Sequence, residues 1–312
     1  MNCPRCMTSN PESGLFCCRC KAILEPRTEY WLGVDDFQCS ADKDALEVLK
    51  STGVLAYIVD QFLVRPFERK QREYLSRHGL PSSHLGYLER MVKECAYTLC
   101  LGALPEVYVA DFRGTPNAFT FGNDSAPVVV VDSGLIQILT HDELRALLGH
   151  EMGHIKSKHL LYHSLANVLA EGVGLSSSFL GSNLITAAMK LALLAWHRES
   201  EFTADRAALI SSEDPKHVAS MFAKILGVRH ISISSDSSLL QELAEIFQSH
   251  PNHLDRIKAV IDFSKSQDYS AILKKISHRR MFRAAFTTNC RFCGASKPSG
   301  SSFCPECGKS QV

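Results

Sequence analysis

The sequence predicts an α+β chain, mostly helical, with a few short strands ahead of one chemically loaded helix and a cysteine module at each end. Three observations lead there. Apolar residues recur at helical spacing on both sides of Leu147–His154, three strand-like runs lie between residues 105 and 131, and eight of the twelve cysteines stand in Cys-x-x-Cys pairs near the termini. A chain of 312 residues can bury one sizeable core and still carry small appendages. With 45% hydrophobic and 21% charged residues and a net charge of +1, it reads as an ordinary globular protein, and nucleic acid, an anionic membrane or an acidic substrate is not expected as an obligatory partner.

The cysteine modules come first and last. Cys3 and Cys6 are followed after ten residues by Cys17 and Cys20, and Cys290 and Cys293 after ten residues by Cys304 and Cys307. Two copies of one spacing predict two closed four-thiolate sites of the zinc-ribbon type, each holding one structural zinc. Such units are too small to bury a core, so metal binding supplies their folding energy. Cys18 competes with Cys17 in the first module; Cys17 keeps both spacings regular and is taken as the ligand. Cys18, Cys39, Cys95 and Cys100 are then left over and are expected as buried apolar cysteines. Because Cys3 opens a metal motif at once, no signal peptide is expected, and the thiols point to a reducing, cytoplasmic compartment.

Between the modules, Asp42–Lys50 and Ala56–His78 are helical in pattern, and the charges of Arg65–Arg77 predict a solvated face. Gly79-Leu80-Pro81 breaks the pattern, and Ser82 or Ser83 is placed to cap a helix through Leu101. Pro105–Ala110, Asn117–Gly122 and Val128–Val131 are the strand candidates, the last fully buried; a strand there either serves the core or offers an edge to an extended substrate. Ser133–Leu139 reads as a short helix leading into Thr140 and Glu143, a capping box. Leu160–Ala195 is the most apolar stretch, but its longest uncharged run, Gly172–Met189, is diluted by serine, asparagine and glycine. It falls short of the about 20 apolar residues a membrane helix needs. A buried helical hairpin is expected, with shallow membrane contact the alternative. Pro215–Val228, Ser238–Gln248, Asn252–Ser264 and Tyr269–Ile276 read as short helices, with basic Lys274–Arg283 a solvated helix end and linker.

The chemistry concentrates in His150-Glu151-Met152-Gly153-His154. On a helix the two imidazoles project from one face and can hold one Zn²⁺, while Glu151 beside them can take a proton from water. The bare pattern arises by chance in about one chain in a hundred, so context decides. The capping box and the apolar stripe of Leu144, Leu147, Leu148 and Ile155 make the segment a buried helix, and Gly149 and Gly153 allow a neighbouring backbone or a peptide to come close. Further on, Glu201 and Asp205 lie four apart on one helical face. Two such acids usually make a solvated face; behind His-Glu-x-x-His they suit a third zinc ligand and an acceptor for a ligand histidine's remaining N–H.

Four separated pieces in order carry a family resemblance: Asn117-Ala118-Phe119 with Gly122, then His150–His154, then Glu201–Arg206, then His250-Pro251 with Arg256-Ile257. Over roughly residues 40–265 the chain resembles the HtpX-like and CAAX-prenyl-protease-type zinc endopeptidases, which include the mitochondrial Oma-type protease. The resemblance implies a gluzincin fold, with a small sheet above the active-site helix. It implies His150, His154 and Glu201 as ligands of a catalytic zinc, Glu151 as general base and Asp205 as the partner behind a ligand. It also places Asn117 near the substrate edge, and His250 and Arg256 where an oxyanion is stabilised or a ligand oriented. The expected organisation is a zinc ribbon over 1–25 and a metallopeptidase domain over 40–265, divided into a helical cover (40–101) and a catalytic core (105–265). A helix and linker (266–287) and a second ribbon (288–312) follow. The expected activity is hydrolysis of peptide bonds in unfolded or partner-delivered polypeptides, with one catalytic and two structural zinc ions and the ribbons free to hold a protein partner. The alternative from another class is a non-catalytic, zinc-stabilised interaction scaffold.

Overall fold

The computed structural model describes residues 1–11, 14–24, 29–51, 60–112, 116–124, 126–171, 187–228, 251–289 and 296–298. Its helices are α1 (Ser40–Ser51), α2 (Arg65–His78), α3 (Gly86–Thr98), α4 (Ser133–Ile138), α5 (His141–Lys156), α6 (Leu160–Glu171), α7 (Ala187–Ser212), α8 (Pro215–Ile225), α9 (Pro251–Ser264) and α10 (Gln267–Phe286). Its strands are β1 (Leu80–Pro81), β2 (Glu106–Ala110), β3 (Ala118–Asn123), β4 (Ala126–Asp132), β5 (Thr287–Asn289) and β6 (Ser296–Pro298). The result is mostly helical with a small mixed sheet, as the sequence predicts.

The sheet runs β1-β2-β4-β3; β2 and β4 are parallel and the other pairs antiparallel, which leaves β3 at an edge. Side chains alternate between two cores, as a period of two requires. Val107, Val109, Val129 and Val131 join the core around α5, whereas Ala110, Phe121, Val128 and Val130 pack with Leu75 of α2. Thr120 is opposite Val129 and therefore faces α5. At the end of β4, Asp132 accepts from the Gly134 amide and starts α4, which delivers the chain to α5.

α5 and α7 form the centre. Gly149 lies against Ser211 and Ala207, and Gly153 against Ala207 and Ala204, so the helices run antiparallel in close contact. An added Cβ would come within 2.5 Å of Ser211 at Gly149 and within 2.7 Å of Ala207 at Gly153. The close approach foreseen at these glycines is thus made by a neighbouring helix. Leu88, Met91, Val92 and Cys95 of α3 belong to the same core as Leu147, Leu148 and Met152 of α5. The start of α1 is tied to α7: Thr203 Oγ1 accepts from the Cys39 amide (3.1 Å), and Arg206 donates to the Phe37 carbonyl (3.1 Å).

Several expectations are corrected. Ser82 and Ser83 form a 3-10 turn, and α3 starts later, at Gly86, without a side-chain cap. It ends at Thr98, because Cys100 adopts a positive φ of 52° and turns the chain away before Leu101. α10 is one helix of 20 residues, where a short helix and a linker were expected. Within it Arg279 is buried: it donates to the Tyr97 and Thr98 carbonyls at the end of α3 and lies over the Tyr97 ring, so the basic run is not wholly solvated. Among the four leftover cysteines, Cys95 and Cys100 are buried, but Cys39 is half-buried and Cys18 exposed. In the described parts of the apolar stretch Tyr162, Leu165 and Leu193 cluster with Leu46, Val64 and Trp196, whereas Leu191 is 68% exposed; residues 172–186 and Ser238–Gln248 lie outside the described residues. Among the described residues, no helix is long and apolar enough to cross a membrane.

Candidate metal centre

The capping box on α5 is formed at both ends: Thr140 Oγ1 accepts from the Glu143 amide and Glu143 Oε2 from the Thr140 amide (2.6 Å). Glu143 also receives Lys224 Nζ (2.7 Å) and Ser220 Oγ from α8. Burial alone would raise its carboxyl, but these donors hold it below the usual carboxylate range. The helix start is thus anchored, and the histidines two and three turns on inherit that position.

His150 and His154 from α5 and Glu201 from α7 converge. The Nε2 atoms of the two histidines are 3.3 Å apart, and each lies 3.5 Å from a Glu201 oxygen. Ligand atoms about 2.0–2.1 Å from a tetrahedral zinc lie about 3.3 Å from one another, so the set fits that ion with a fourth position left over. The close α5–α7 approach at Gly149 and Gly153 brings Glu201 next to the two histidines.

Each histidine is held from behind. His150 Nδ1 is 3.0 Å from Asp205 Oδ1, and Asp205 receives Arg256 of α9 through both Nε and Nη2, each at 2.7 Å. A further nitrogen of Arg256, Nη1, is 2.9 Å from Glu201. His154 Nδ1 is 3.1 Å from His159 Nδ1, whose Nε2 is in turn 3.0 Å from Asp42 Oδ2 on α1. Burial would raise the Glu201 and Asp205 carboxyls, but the Arg256 guanidinium holds both down, Glu201 well below its ordinary value. Burial, reinforced by neighbouring His163, keeps His154 well below the usual imidazole range and therefore neutral, with a lone pair to give.

Glu151 lines the same cleft on its β3 side, where Thr120 donates to its Oε2 at 2.5 Å. Burial pushes its carboxyl up against the pull of His150 and Thr120. The centre opens into a cleft of ≈ 260 Å³, walled by Asn117–Thr120 on one side and by Met221, Phe222 and Arg256 on the other. Asn117 is exposed at the cleft edge, and its Oδ1 accepts from the Ala118 amide. Arg256 is committed to Asp205 and Glu201, an orienting position. His250 lies outside the described residues.

Five residues of this neighbourhood are not among the sequence expectations: His159, His163, His197, Asp42 and Thr120. His159 and His163 carried a signal, two histidines inside an apolar stretch. Asp42 carried none, reading as a first-turn acid of a surface helix. His163 Nε2 is 2.8 Å from Ser200 Oγ and stacks on His197, so a wall of imidazole continues along the centre.

At the N-terminus the sulfurs of Cys3, Cys6, Cys17 and Cys20 lie within 4.8 Å of one another, with Cys3–Cys20 at 3.5 Å and Cys6–Cys17 at 3.6 Å. The module is two like turns: the Met7 amide returns to the Cys3 carbonyl and the Lys21 amide to the Cys17 carbonyl, and Met7 and Lys21 share a φ near 58–59°. It docks on the loop after α3, where the Ile23 amide donates to Gly102 and the Leu104 amide to Lys21. At the other end β5 and β6 pair antiparallel; Cys290, Cys293, Cys304 and Cys307 lie outside the described residues.

Comparison with known proteins supports one origin for this arrangement. The chain is 31% identical over 218 residues to the plastoglobule-localized metallopeptidase 48 of Arabidopsis thaliana, covering 63% of this chain and 62% of that protein. It is 30% identical over 208 residues to an HtpX protease homologue of Syntrophobacter fumaroxidans, covering 54% of this chain and 73% of the relative. A further HtpX homologue, from Ralstonia nicotianae, is 27% identical over 217 residues, covering 58% and 75%. No solved structure gives a significant match. Residues 82–263, more than half the chain and inclusive of His150, His154, Glu201, Asp205 and Arg256, match peptidase family M48, and the chain belongs to that family, with an HtpX-like metallopeptidase domain.

Proposed function

We propose that the protein is a zinc-dependent endopeptidase whose catalytic zinc is held by His150, His154 and Glu201. The observation that carries this is the set of three donor atoms 3.3–3.5 Å apart with a buried carboxylate, Glu151, beside them. When bound, zinc supplies Lewis-acid polarisation of the scissile carbonyl and acidifies the attacking water. Glu151 accepts the proton of that water on its carboxylate and passes it to the leaving nitrogen; burial, which raises its carboxyl, brings the acid form nearer to neutral pH and suits this two-way role. Thr120 fixes the rotamer of Glu151. Arg256 and Asp205 orient His150 and Glu201, while oxyanion stabilisation by His250 rests on the resemblance alone.

The substrate is read as an extended polypeptide, unfolded or delivered by a partner. β3 is the edge strand of the sheet, and Asn117–Thr120 line the cleft, so a peptide can pair along β3 with its scissile bond over the centre. The Cys3, Cys6, Cys17 and Cys20 cluster holds a structural zinc, and Cys290, Cys293, Cys304 and Cys307 a second, leaving both modules available to a protein partner. A cytoplasmic site is proposed on the free thiols; one relative carries plastoglobule localisation in its name, which keeps shallow lipid contact in view. A purely structural scaffold is the weaker reading, because a closed site would fill the fourth position with protein.

The test is cleavage of an unfolded protein by wild type and Glu151→Gln, with zinc counted in both. We expect equal zinc and a rate lower by about 10²–10⁴-fold in the variant. Undiminished cleavage by Glu151→Gln would remove Glu151 from the mechanism.

A further inference from the structure

We propose that Asp42 and His159 form a relay that fixes the tautomer of His154 and so sets the affinity of the metal centre. The inference rests on the zinc reading above and adds two positioning residues to it.

The argument is one of hydrogen counting. His154 Nδ1 and His159 Nδ1 face each other at 3.1 Å, and two ring nitrogens can share a hydrogen bond only when one carries the proton and the other does not. His154 turns Nε2 to His150 and Glu201, where a ligand needs its lone pair, so its proton sits on Nδ1 and it is the donor. His159 Nδ1 is then the acceptor, which places the His159 proton on Nε2, aimed at Asp42 Oδ2 at 3.0 Å. Every link runs in one direction and ends on an anion.

Asp42 is built to be that end. Trp196 Nε1 donates to its Oδ1 at 3.0 Å, and Thr203 Oγ1 and Gln38 Nε2 donate to its Oδ2 at 2.7 and 3.0 Å. Asp42 and His159 are both 0% exposed, so no bulk water can replace either partner. His150 has the same support one imidazole shorter, directly on Asp205. A ligand histidine backed by a carboxylate has its orientation fixed and its basicity raised, and loss of such a partner costs 10–100-fold in metal affinity. Asp42 lies ahead of the family match at residues 82–263, which makes α1 part of the metal centre's support.

The full chain is titrated with zinc against a chromogenic chelator, and His150→Ala serves as the blank for thiolate-held zinc. Asp42→Asn presents one acceptor oxygen to four donors and can turn its amide N–H₂ on His159, reversing the relay. His159→Leu removes the acceptor, whereas His159→Asn can place a carbonyl oxygen where Nδ1 stands. We expect zinc affinity about 10–100-fold weaker in Asp42→Asn and His159→Leu, and within a few-fold of wild type in His159→Asn. Unfolding of the zinc-free proteins is followed alongside; if Asp42→Asn does not fold, the Leu/Asn pair at position 159 decides alone. Wild-type affinity in folded Asp42→Asn and His159→Leu, or equal loss in both His159 variants, overturns the relay. Equal zinc in wild type and His150→Ala would instead overturn the zinc reading beneath it.

Discussion

Two of the candidate metal-ligand clusters among the described residues, the four thiols near the N-terminus and the His150, His154 and Glu201 set, are supported in opposite ways. The Cys3–Cys20 module has almost nothing but its sulfurs: its buried cluster is Cys3, Cys17, Ala22 and Leu24, and its order comes from two short turns around the thiolates. The His150, His154 and Glu201 set lies between two long helices in the core around α5, and Asp205, Arg256, His159 and Asp42 form a hydrogen-bonded layer behind it. On the proposed reading, a closed thiolate site lets the metal make the fold, whereas an open catalytic site must be made by the fold.

Metal removal should separate the two most sharply. Apparent zinc binding energies of about 10–16 kcal/mol are folding energies in small thiolate modules. Chelation is therefore expected to abolish exchange protection of the Cys17 and Lys21 amides while the amides of α5 and α7 stay protected. Loss of protection in α5 together with the module would break the comparison. Next in size is Gly153→Ala, whose methyl would meet Ala207 Cβ at 2.7 Å and the Ala204 backbone at 3.0 Å. Overpacking of this kind costs about 1–3 kcal/mol, and because it separates α5 from α7 it should also weaken zinc binding at the centre and leave the thiolate site unchanged. Denaturant unfolding with a zinc count measures both effects.

The sequence made the first circle of this centre legible and hid the second. His150, Glu151 and His154 declare themselves because one helix carries them at a fixed spacing, and Thr140 and Glu143 mark its start for the same local reason. Glu201 and Asp205 are local to each other, and only the order of motifs ties them to α5. Asp42 is 117 residues from His159, so no spacing rule links them. Thr120 is equally silent, since its direction toward Glu151 depends on the β3–β4 register. α10 is hard to read because its basic residues suggest solvent, whereas Arg279 continues the buried row of Tyr269, Ile272 and Ile276 and reaches the carbonyl end of α3. What the sequence conceals here is tertiary partnership between polar groups, which periodicity does not encode.

A smaller effect tests the anchoring of α5 through pH. Glu143 is buried, but Lys224, Ser220 and Thr140 hold its carboxyl below the usual range. A carboxyl depressed in the folded state contributes stability above its unfolded pKa, about 4.3, and loses it as pH falls through the folded value. Glu143→Gln should therefore cost zinc-free protein about 1.5–3 kcal/mol at pH 7, with the gap to wild type closing below pH 4. A gap independent of pH would mean that the charge of Glu143 is not what holds the helix.

The smallest change isolates the cap itself. Thr140→Ala removes the oxygen that accepts the Glu143 amide but leaves the Lys224 ion pair in place. N-cap losses of this kind are about 1 kcal/mol, and Thr140→Ser, which keeps the oxygen, should restore nearly all of it. Because His150 and His154, the proposed ligands, lie well beyond the first turn, zinc affinity should follow only the small loss of stability. A drop in affinity larger than the drop in stability would show that the cap sets the pitch at which α5 presents its histidines, and that the fold supports the open centre from its first turn onward.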